Sequence, residues 1–134
     1  MLSNKLQRFI ETTNRAYVAS ADQRARPHLA VGRGLRVPDS SHIVFETWVC
    51  PRTIENIAEV PRVAVAVIDA ASGIGYQFAC RVETTAEKDP VGQGSSAAEI
   101  PGMQHLQWRV VVRVEEIMEF SDDTHSDLPM SALV

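Results

Sequence analysis

Apolar and polar residues alternate along most of this chain, and alternation with a period of two predicts β-strands. We expect strands at residues 15–20, 28–37, 42–48, 62–69, 74–85 and 106–120. Turn-forming residues separate these segments at hairpin-like spacing, which favours an antiparallel barrel over a doubly wound sheet. A barrel of about six strands is filled by its own side chains, so a sizeable ligand has to bind outside it.

The strand at residues 42–48 has two distinct faces. Alternation predicts Ile43, Phe45 and Thr47 on one face and Trp48 on the other. An aromatic residue at the end of a strand belongs to the core or to an interface, or it stacks on a planar ligand. Trp48 is therefore a candidate for contact with the ring of a planar ligand.

The strand at residues 28–37 carries a charge within an apolar stripe. Arg33 interrupts that stripe, so it either faces a cofactor or forms a salt bridge with one of the 17 acidic residues. Gly32 and Gly34 flank it without a following helix, which excludes a dinucleotide-binding fingerprint. We expect these glycines to let a ring or another backbone approach the strand closely.

The sequence predicts an amphipathic helix near the start of the chain, with Leu6 and Ile10 on one stripe, and another helix directly after the strand at residues 42–48. Pro51 does not fit a strand interior but suits the first turn of a helix, so Arg52 and Thr53 fall at the helix start. Unpaired backbone N–H groups and the positive end of the helix dipole favour an anion there. A guanidinium and a hydroxyl at this point suit a phosphate group. We expect both residues to lie outside the core.

Composition narrows the class of protein. The chain has 134 residues, of which 45% are hydrophobic, and this suits a single globular domain. A net charge of −4 gives no reason to expect nucleic acid or an anionic membrane as a partner. No apolar run is long enough to span a bilayer, and the first residues lack a signal-peptide core. The simplest expectation is a cytoplasmic protein.

Cysteine and histidine do not form a recognisable site in the sequence. Cys50 and Cys80 lack metal-ligand spacing and are expected to be free thiols. The four histidines show no paired spacing, so no metal site is expected. Cys50 invites a nucleophilic role, but no histidine is placed in the sequence to pair with it. We therefore assign no catalytic residue.

Several segments together resemble a known family. Their order is AYVASAD, RPHLAVGRG, HIVFETWVCPRTIENI, RVAVAVID and GIGYQFACRVE. This order, from about Leu2 to Phe120, resembles the FMN-binding split-barrel proteins related to pyridoxamine 5'-phosphate oxidase. In length and layout it is most similar to the small bacterial FMN-binding flavoproteins. The resemblance implies a mainly β fold, a split β-barrel of about six antiparallel strands with short flanking α-helices, in one domain over residues 1–134.

The resemblance also implies a homodimer with FMN bound in clefts at the subunit interface. Its phosphate site matches Arg52 and Thr53, and the other contacts come from strand ends. The implied cofactor-binding residues are Val31, Gly32, Arg33, Thr47, Trp48, Cys50, Arg52, Thr53 and Gln77. The implied function is redox chemistry, as a reductase or an electron carrier acting with a small-molecule substrate or electron donor.

The chain departs from the oxidase itself in three places. The oxidase has a second basic residue where Thr53 stands, and the family commonly has a glycine where Cys80 stands. The oxidase also has a C-terminal basic and aromatic motif that holds the substrate phosphate. Here the chain ends EEIMEFSDDTHSDLPMSALV, which is acidic and has no arginine. We therefore do not expect pyridoxamine 5'-phosphate oxidase activity.

Two other functions remain open from the sequence. Related split barrels use a deazaflavin, so a deazaflavin-dependent reductase is one alternative. The other is a non-enzymatic module that holds a flavin or haem, for which His105 or His125 would be the axial ligand.

We also expect the second copy to meet the strands around residues 74–82 and 106–114. Both segments have apolar residues on both faces, more than a one-sided surface sheet needs. An isologous two-fold contact would bury the surplus.

Overall fold

The computed structural model describes residues 1–88 and 106–130. Within those ranges the chain forms two helices and one antiparallel sheet of seven strands. The elements are α1 (Asn4–Thr13), β1 (Arg15–Ala21), β2 (Pro27–Arg33), β3 (Leu35–Arg36), β4 (His42–Trp48), α2 (Pro51–Glu59), β5 (Arg62–Ile68), β6 (Gly75–Lys88) and β7 (Gln107–Glu119). The strand order is β2-β1-β5-β6-β7-β4-β3, and β2 also approaches β4, so the sheet curls on itself. The mainly β, split-barrel prediction is confirmed. The sequence pattern predicts a loop at residues 88–102; apart from Lys88 it lies outside the described residues, and so does His105.

The strand predicted at residues 28–37 is divided in two. Gly34 has φ +76° and ends β2, and β3 follows after it. Asn14, itself in the left-handed region with φ 56°, accepts hydrogen bonds from the N–H groups of Gly34 (3.0 Å) and Leu35 (2.9 Å) through its Oδ1. These two hydrogen bonds stabilise the break between β2 and β3. The break accounts for seven strands where the pattern predicts about six.

The interior of the sheet is filled by apolar side chains. The largest fully buried ones include Phe45, Phe78, Ile43, Val65 and Val112. Helix α1 closes one end, with Leu6 and Ile10 buried and Ser3 Oγ accepting a hydrogen bond from the Leu6 N–H at 3.1 Å. The strands therefore leave space for a sizeable ligand only on their outer side, as the sequence predicts.

A β-bulge changes the faces of β4 at its end. The pairing of β4 with β7 shifts in register between Phe45 and Trp48. As a result Trp48 is buried beside Phe45, with ring centroids 5.2 Å apart and planes at 78°, while Thr47 is exposed. The prediction that Thr47 shares a face with Phe45 is wrong, because the extra residue of a bulge reverses the alternation after it.

The outer face of β6 and β7 is charged. Ion pairs cross it between Arg113 and Glu83 (2.7 Å) and between Arg62 and Glu115 (2.6 Å). Val111 also stands on this outward face, half-buried between Arg109 and Arg113, so the expected contact of these strands with a second copy remains a prediction. The exposed large apolar side chains of the sheet lie instead on β1 and β2, and they are Tyr17, Leu29 and Val31. The homodimer itself remains a prediction.

No helix in residues 1–88 or 106–130 is long and apolar enough to cross a membrane.

Candidate functional site

An open groove of about 660 Å³ runs along the outside of the sheet, where the end of β2 meets the end of β4. It is lined by Asn14, Arg15, Val31, Gly32, Arg33, Gly34, Thr47, Trp48, Val49 and Gln107. The predicted contacts from two separate segments, β2 and β4, therefore meet at one place. Val31 is 54% exposed and forms an apolar part of the wall.

The floor of the groove is built by Gly32 and Trp48. A Cβ placed on Gly32 would lie only 2.4 Å from Cζ3 of Trp48. The ring that approaches this glycine is thus the protein's own indole. Trp48 is 2% exposed, and its Nε1–H donates a hydrogen bond to the carbonyl oxygen of Cys50 at 3.0 Å. Its ring face is consequently not available as a stacking platform, and it can offer a ligand only an edge.

The start of α2 lies just beyond this floor. Pro51 is the first helical residue, and Cys50 precedes it without a side-chain hydrogen bond to cap the helix. The side chain of Arg52 is 65% exposed, and its Nε lies 3.7 Å from the Glu55 carboxylate. A surface ion pair at that distance is weak. The guanidinium is therefore free to turn towards an anion at the helix start, where the dipole is positive.

Thr53 is buried, contrary to the expectation that it lies outside the core. It is 3% exposed and lines a cavity of only about 10 Å³ inside the barrel, together with Phe45 and Val112. The reason is helical spacing, because Thr53 is one turn before the buried Ile57 and shares its face. Its Oγ1 has no hydrogen-bond partner among the described residues. At the helix start Thr53 thus presents its backbone N–H rather than its hydroxyl.

Cys50 has a histidine neighbour that the sequence did not reveal. His28 Nε2 lies 3.3 Å from Cys50 Sγ, although the two residues are 22 positions apart. They come together because the curled sheet brings β2 beside the end of β4. No short sequence motif reports such a contact. Both cysteines are free thiols, as expected.

Gln77 does not join the other predicted contacts. It lies in the first half of β6, where it pairs with Ala66 on β5 and Met118 on β7. It is absent from the residues that line the groove. Five residues that line the groove were not among the predicted contacts: Asn14, Arg15, Gly34, Val49 and Gln107. Arg15 and Gln107 each stand at the first position of a strand, where only the pairing register shows what the side chain faces.

The charges around the groove are unevenly compensated. Glu46 on β4 lies between Arg36 (2.5 Å) and Arg109 (2.9 Å). Desolvation by burial raises the pKa of Glu46, but the hydrogen bonds from the two arginines outweigh it and leave the pKa lowered. This carboxylate therefore stays ionised and is engaged by Arg36 and Arg109 rather than by Arg33.

The fold and the groove define a split-barrel protein with an open groove on the outside of its sheet. By sequence the chain belongs to the pyridoxamine 5'-phosphate oxidase family, whose model matches residues 2–117. No curated protein matches the chain.

Solved structures with this fold are named for different cofactors. An F420 reductase has 20% sequence identity and a TM-score of 0.61, over 83% of this chain and 94% of its own. An FMN-binding protein from Syntrophomonas wolfei has 12% identity and a TM-score of 0.60, over 87% of this chain and 90% of its own. HutZ, the haem storage protein from Vibrio cholerae, has 14% identity and a TM-score of 0.59, over 88% of this chain and 94% of its own. At these identities the likeness shows the fold alone.

Proposed function

We propose that this protein binds FMN and serves in redox chemistry, as a reductase or an electron carrier. The observation that carries the proposal is the continuity between two features. An open groove lies along β2 and β4, and the uncapped start of α2, with Arg52, lies just past its floor. One ligand with a flat ring and a phosphate would occupy both.

The phosphate end of the site rests on Arg52 and the helix. A guanidinium and the first backbone N–H groups of α2 are the donors that a phosphate accepts from. The hydrogen bond from Trp48 to Cys50 holds the loop between β4 and α2 in place. The backbone N–H donors are therefore positioned before a ligand arrives, which lowers the entropic cost of binding, whereas the exposed Arg52 side chain has to turn towards the phosphate.

The ring end of the site rests on the groove walls. Val31 supplies apolar surface and Thr47 is an exposed polar residue, while Gly32 contributes backbone that is packed from below by the Trp48 indole. When bound, the flavin would supply the hydride and electron transfer. The residues of this chain would bind and orient it, and among the described residues none is assigned as a catalytic acid or base.

A second copy of the chain would complete the site. The groove is open to solvent, and the exposed Tyr17, Leu29 and Val31 lie on β1 and β2 at its side. Covering them in a homodimer would bury apolar surface and close the groove over the cofactor. A small-molecule substrate or electron donor would then enter between the subunits.

The alternatives have less support. A deazaflavin also has a flat ring and a phosphate, so the same groove would accept it. Haem requires an axial ligand, but His125 Nδ1 already contacts the Asp123 carbonyl at 2.7 Å, and its Nε2 lies 3.2 Å from Asp127. We do not propose pyridoxamine 5'-phosphate oxidase activity, since residues 115–130 are acidic and contain no lysine or arginine to hold a substrate phosphate.

The test is to identify the cofactor directly. The purified protein is examined by absorption spectroscopy, and the small molecule released on denaturation is identified by mass. We expect a flavin spectrum and the mass of FMN, either as purified or after incubation with FMN and gel filtration. Recovery of a deazaflavin or haem, or of protein that retains no FMN after incubation, would overturn the proposal.

A further inference from the structure

Most arginines on the strands are paired with carboxylates. The pairs are Arg36 with Glu46, Arg62 and Arg81 with Glu115, Arg109 with Glu46, and Arg113 with Glu83, with N–O distances between 2.5 and 3.8 Å. Arg15 and Arg33 are the exceptions on the strands. In residues 1–88 and 106–130, neither forms an ion pair with a carboxylate.

These two arginines lie directly opposite each other. Arg15 is the first residue of β1 and Arg33 the last of β2, and they are partners in the antiparallel pairing. Like charges at directly opposed positions destabilise a sheet. Both residues are exposed, so water and salt screen part of the repulsion. The remaining repulsion lowers the stability of the free protein. An anion bound between the two guanidinium groups would offset that repulsion.

The surroundings of the pair show on which side an anion would bind. Both arginines line the groove with Thr47 and Gln107, and none of the described residues that line it is acidic. A second groove on the other side of the pair includes Asp69. That carboxylate is held by its own turn, accepting hydrogen bonds from Ser72 Oγ at 2.8 Å and the Ala71 N–H at 3.3 Å. Among the described residues, the groove that contains Thr47 and Gln107 is therefore the favourable side for an anion.

We propose that Arg15 and Arg33 together bind the oxyanion, a carboxylate or a phosphate, of an acidic second ligand in the groove. The inference rests on the proposed function in one respect, because this ligand is taken to be the redox partner of the bound cofactor. Guanidinium groups bind planar oxyanions with two parallel hydrogen bonds, so an opposed pair recognises an acid more selectively than a single charge does. The substrate or electron donor is accordingly an organic acid or a phosphate ester.

The first test measures the repulsion in the protein without ligand. Arg15→Gln removes one of the opposed charges, so we expect a melting temperature about 1–3 °C above wild type at low salt. The gain should vanish at high salt, where the repulsion is screened. Arg113→Gln is the matched control, since it breaks an ion pair and should lower the melting temperature. A lower melting temperature for Arg15→Gln at low salt would contradict the proposal.

The second test measures anion binding. Melting temperatures are recorded with inorganic phosphate, succinate or sodium chloride at equal ionic strength, in an Arg52→Ala background that removes the other proposed phosphate site. We expect phosphate or succinate to raise the melting temperature. The anion that gives the larger rise shows whether the ligand's acidic group is a phosphate or a carboxylate. The shift should disappear with Arg15→Gln and Arg33→Gln together and persist with Arg81→Gln. No shift, or a shift that survives loss of both arginines, overturns the proposal.

A third measurement separates this proposal from that of FMN binding. Arg15→Gln is titrated with FMN and with riboflavin, and we expect both affinities within about threefold of wild type. If FMN alone weakens, the pair holds the cofactor's own phosphate and the second-ligand proposal fails. If wild type binds no FMN but still shows the anion shift through Arg15 and Arg33, the anion site stands and the proposed cofactor function fails.

Discussion

The indole of Trp48 occupies the space that a side chain at Gly32 would need. The distance from a Cβ at position 32 to Cζ3 of Trp48 would be 2.4 Å, and a further contact with Phe45 would be 3.1 Å. The bulge at the end of β4 turns Trp48 into this space. The floor of the groove therefore depends on a residue pair from two different strands.

Gly32→Ala should destabilise the protein by about 1–3 kcal/mol, as overpacking of a core does. The measurement is urea unfolding, with Gly34→Asn as the control. Gly34 has φ +76°, a Cβ at that position would have no neighbour within 4 Å, and asparagine tolerates the backbone conformation. A double variant with Trp48→Leu should recover part of the loss. If Gly32→Ala lowers the free energy of unfolding no more than Gly34→Asn does, the close packing of Trp48 against Gly32 is contradicted.

The buried hydroxyl of Thr53 gives a second prediction. Because Oγ1 has no hydrogen-bond partner in the described part of the chain, Thr53→Val should leave the free energy of unfolding unchanged or raise it by about 1 kcal/mol. The same variant should bind FMN as wild type does, since only the backbone N–H faces the helix start. Thr53→Ser keeps the hydroxyl but loses a buried methyl, and should be less stable than wild type. A roughly fivefold loss of FMN affinity in Thr53→Val, about 1 kcal/mol, would show that the hydroxyl reaches the phosphate.

His42 makes the stability of the fold depend on pH. Its Nδ1 lies 2.9 Å from Asp39, its Nε2 lies 2.8 Å from Glu83, and Arg113 contacts the other oxygen of Glu83 at 2.7 Å. The hydrogen bond with Asp39, and after it that with Glu83, raise the pKa of His42 above its ordinary 6.5 despite partial desolvation. Protonated His42 therefore stabilises the fold fully below pH 6.5, and this contribution is lost as the pH rises through the raised pKa.

The measurement is urea unfolding of wild type and His42→Gln across pH values from about 5.5 to about 8.5, a range that spans the ordinary and the raised pKa. We expect the difference in unfolding free energy between the two proteins to be largest at the acid end and to shrink as the pH rises. Glu83→Gln should reduce that pH dependence, since it removes one of the two carboxylates that favour the protonated form. A difference that stays constant across the whole range would contradict the role of His42.

The two cysteines should differ in reactivity in the folded protein. Cys80 is buried, and desolvation raises the pKa of its thiol to about 12, so little thiolate forms at about pH 8. Cys50 is half-buried beside His28. Iodoacetamide at that pH should therefore modify Cys50 and spare Cys80, as read by peptide mass spectrometry. In urea both should react, and modification of Cys80 at an equal rate under native conditions would contradict its burial.

The sequence predicted the fold more fully than the site. Alternation located the strands because a period of two holds over most of each segment. Pro51 marked the helix start because its ring does not fit the interior of a strand or a helix. The bulge that buries Trp48 has no such mark, and it reversed the expected exposure of Thr47. A single extra residue in a strand changes no composition and little of the pattern.

Like the bulge, the contacts between segments that are distant in sequence could not be predicted from the sequence. The 3.3 Å approach of His28 to Cys50 and the opposition of Arg15 and Arg33 both depend on strand order and register. The charged outer face of β7 was visible as single residues, but its ion pairs needed the partners on β4, β5 and β6. Resemblance to a family identified the groove's walls without showing which side chains point into it.

The central claim is that Arg52 and the start of α2 hold the phosphate of FMN, and the most direct test compares FMN with riboflavin, which lacks that phosphate. Both are titrated by fluorescence quenching against wild type, Arg52→Ala and the control Arg8→Ala, an exposed arginine on α1. We expect Arg52→Ala to weaken FMN by about 1.5–3 kcal/mol, roughly ten- to over a hundredfold, and to leave riboflavin unchanged. Equal losses for both flavins, or no loss for either, would contradict the claim.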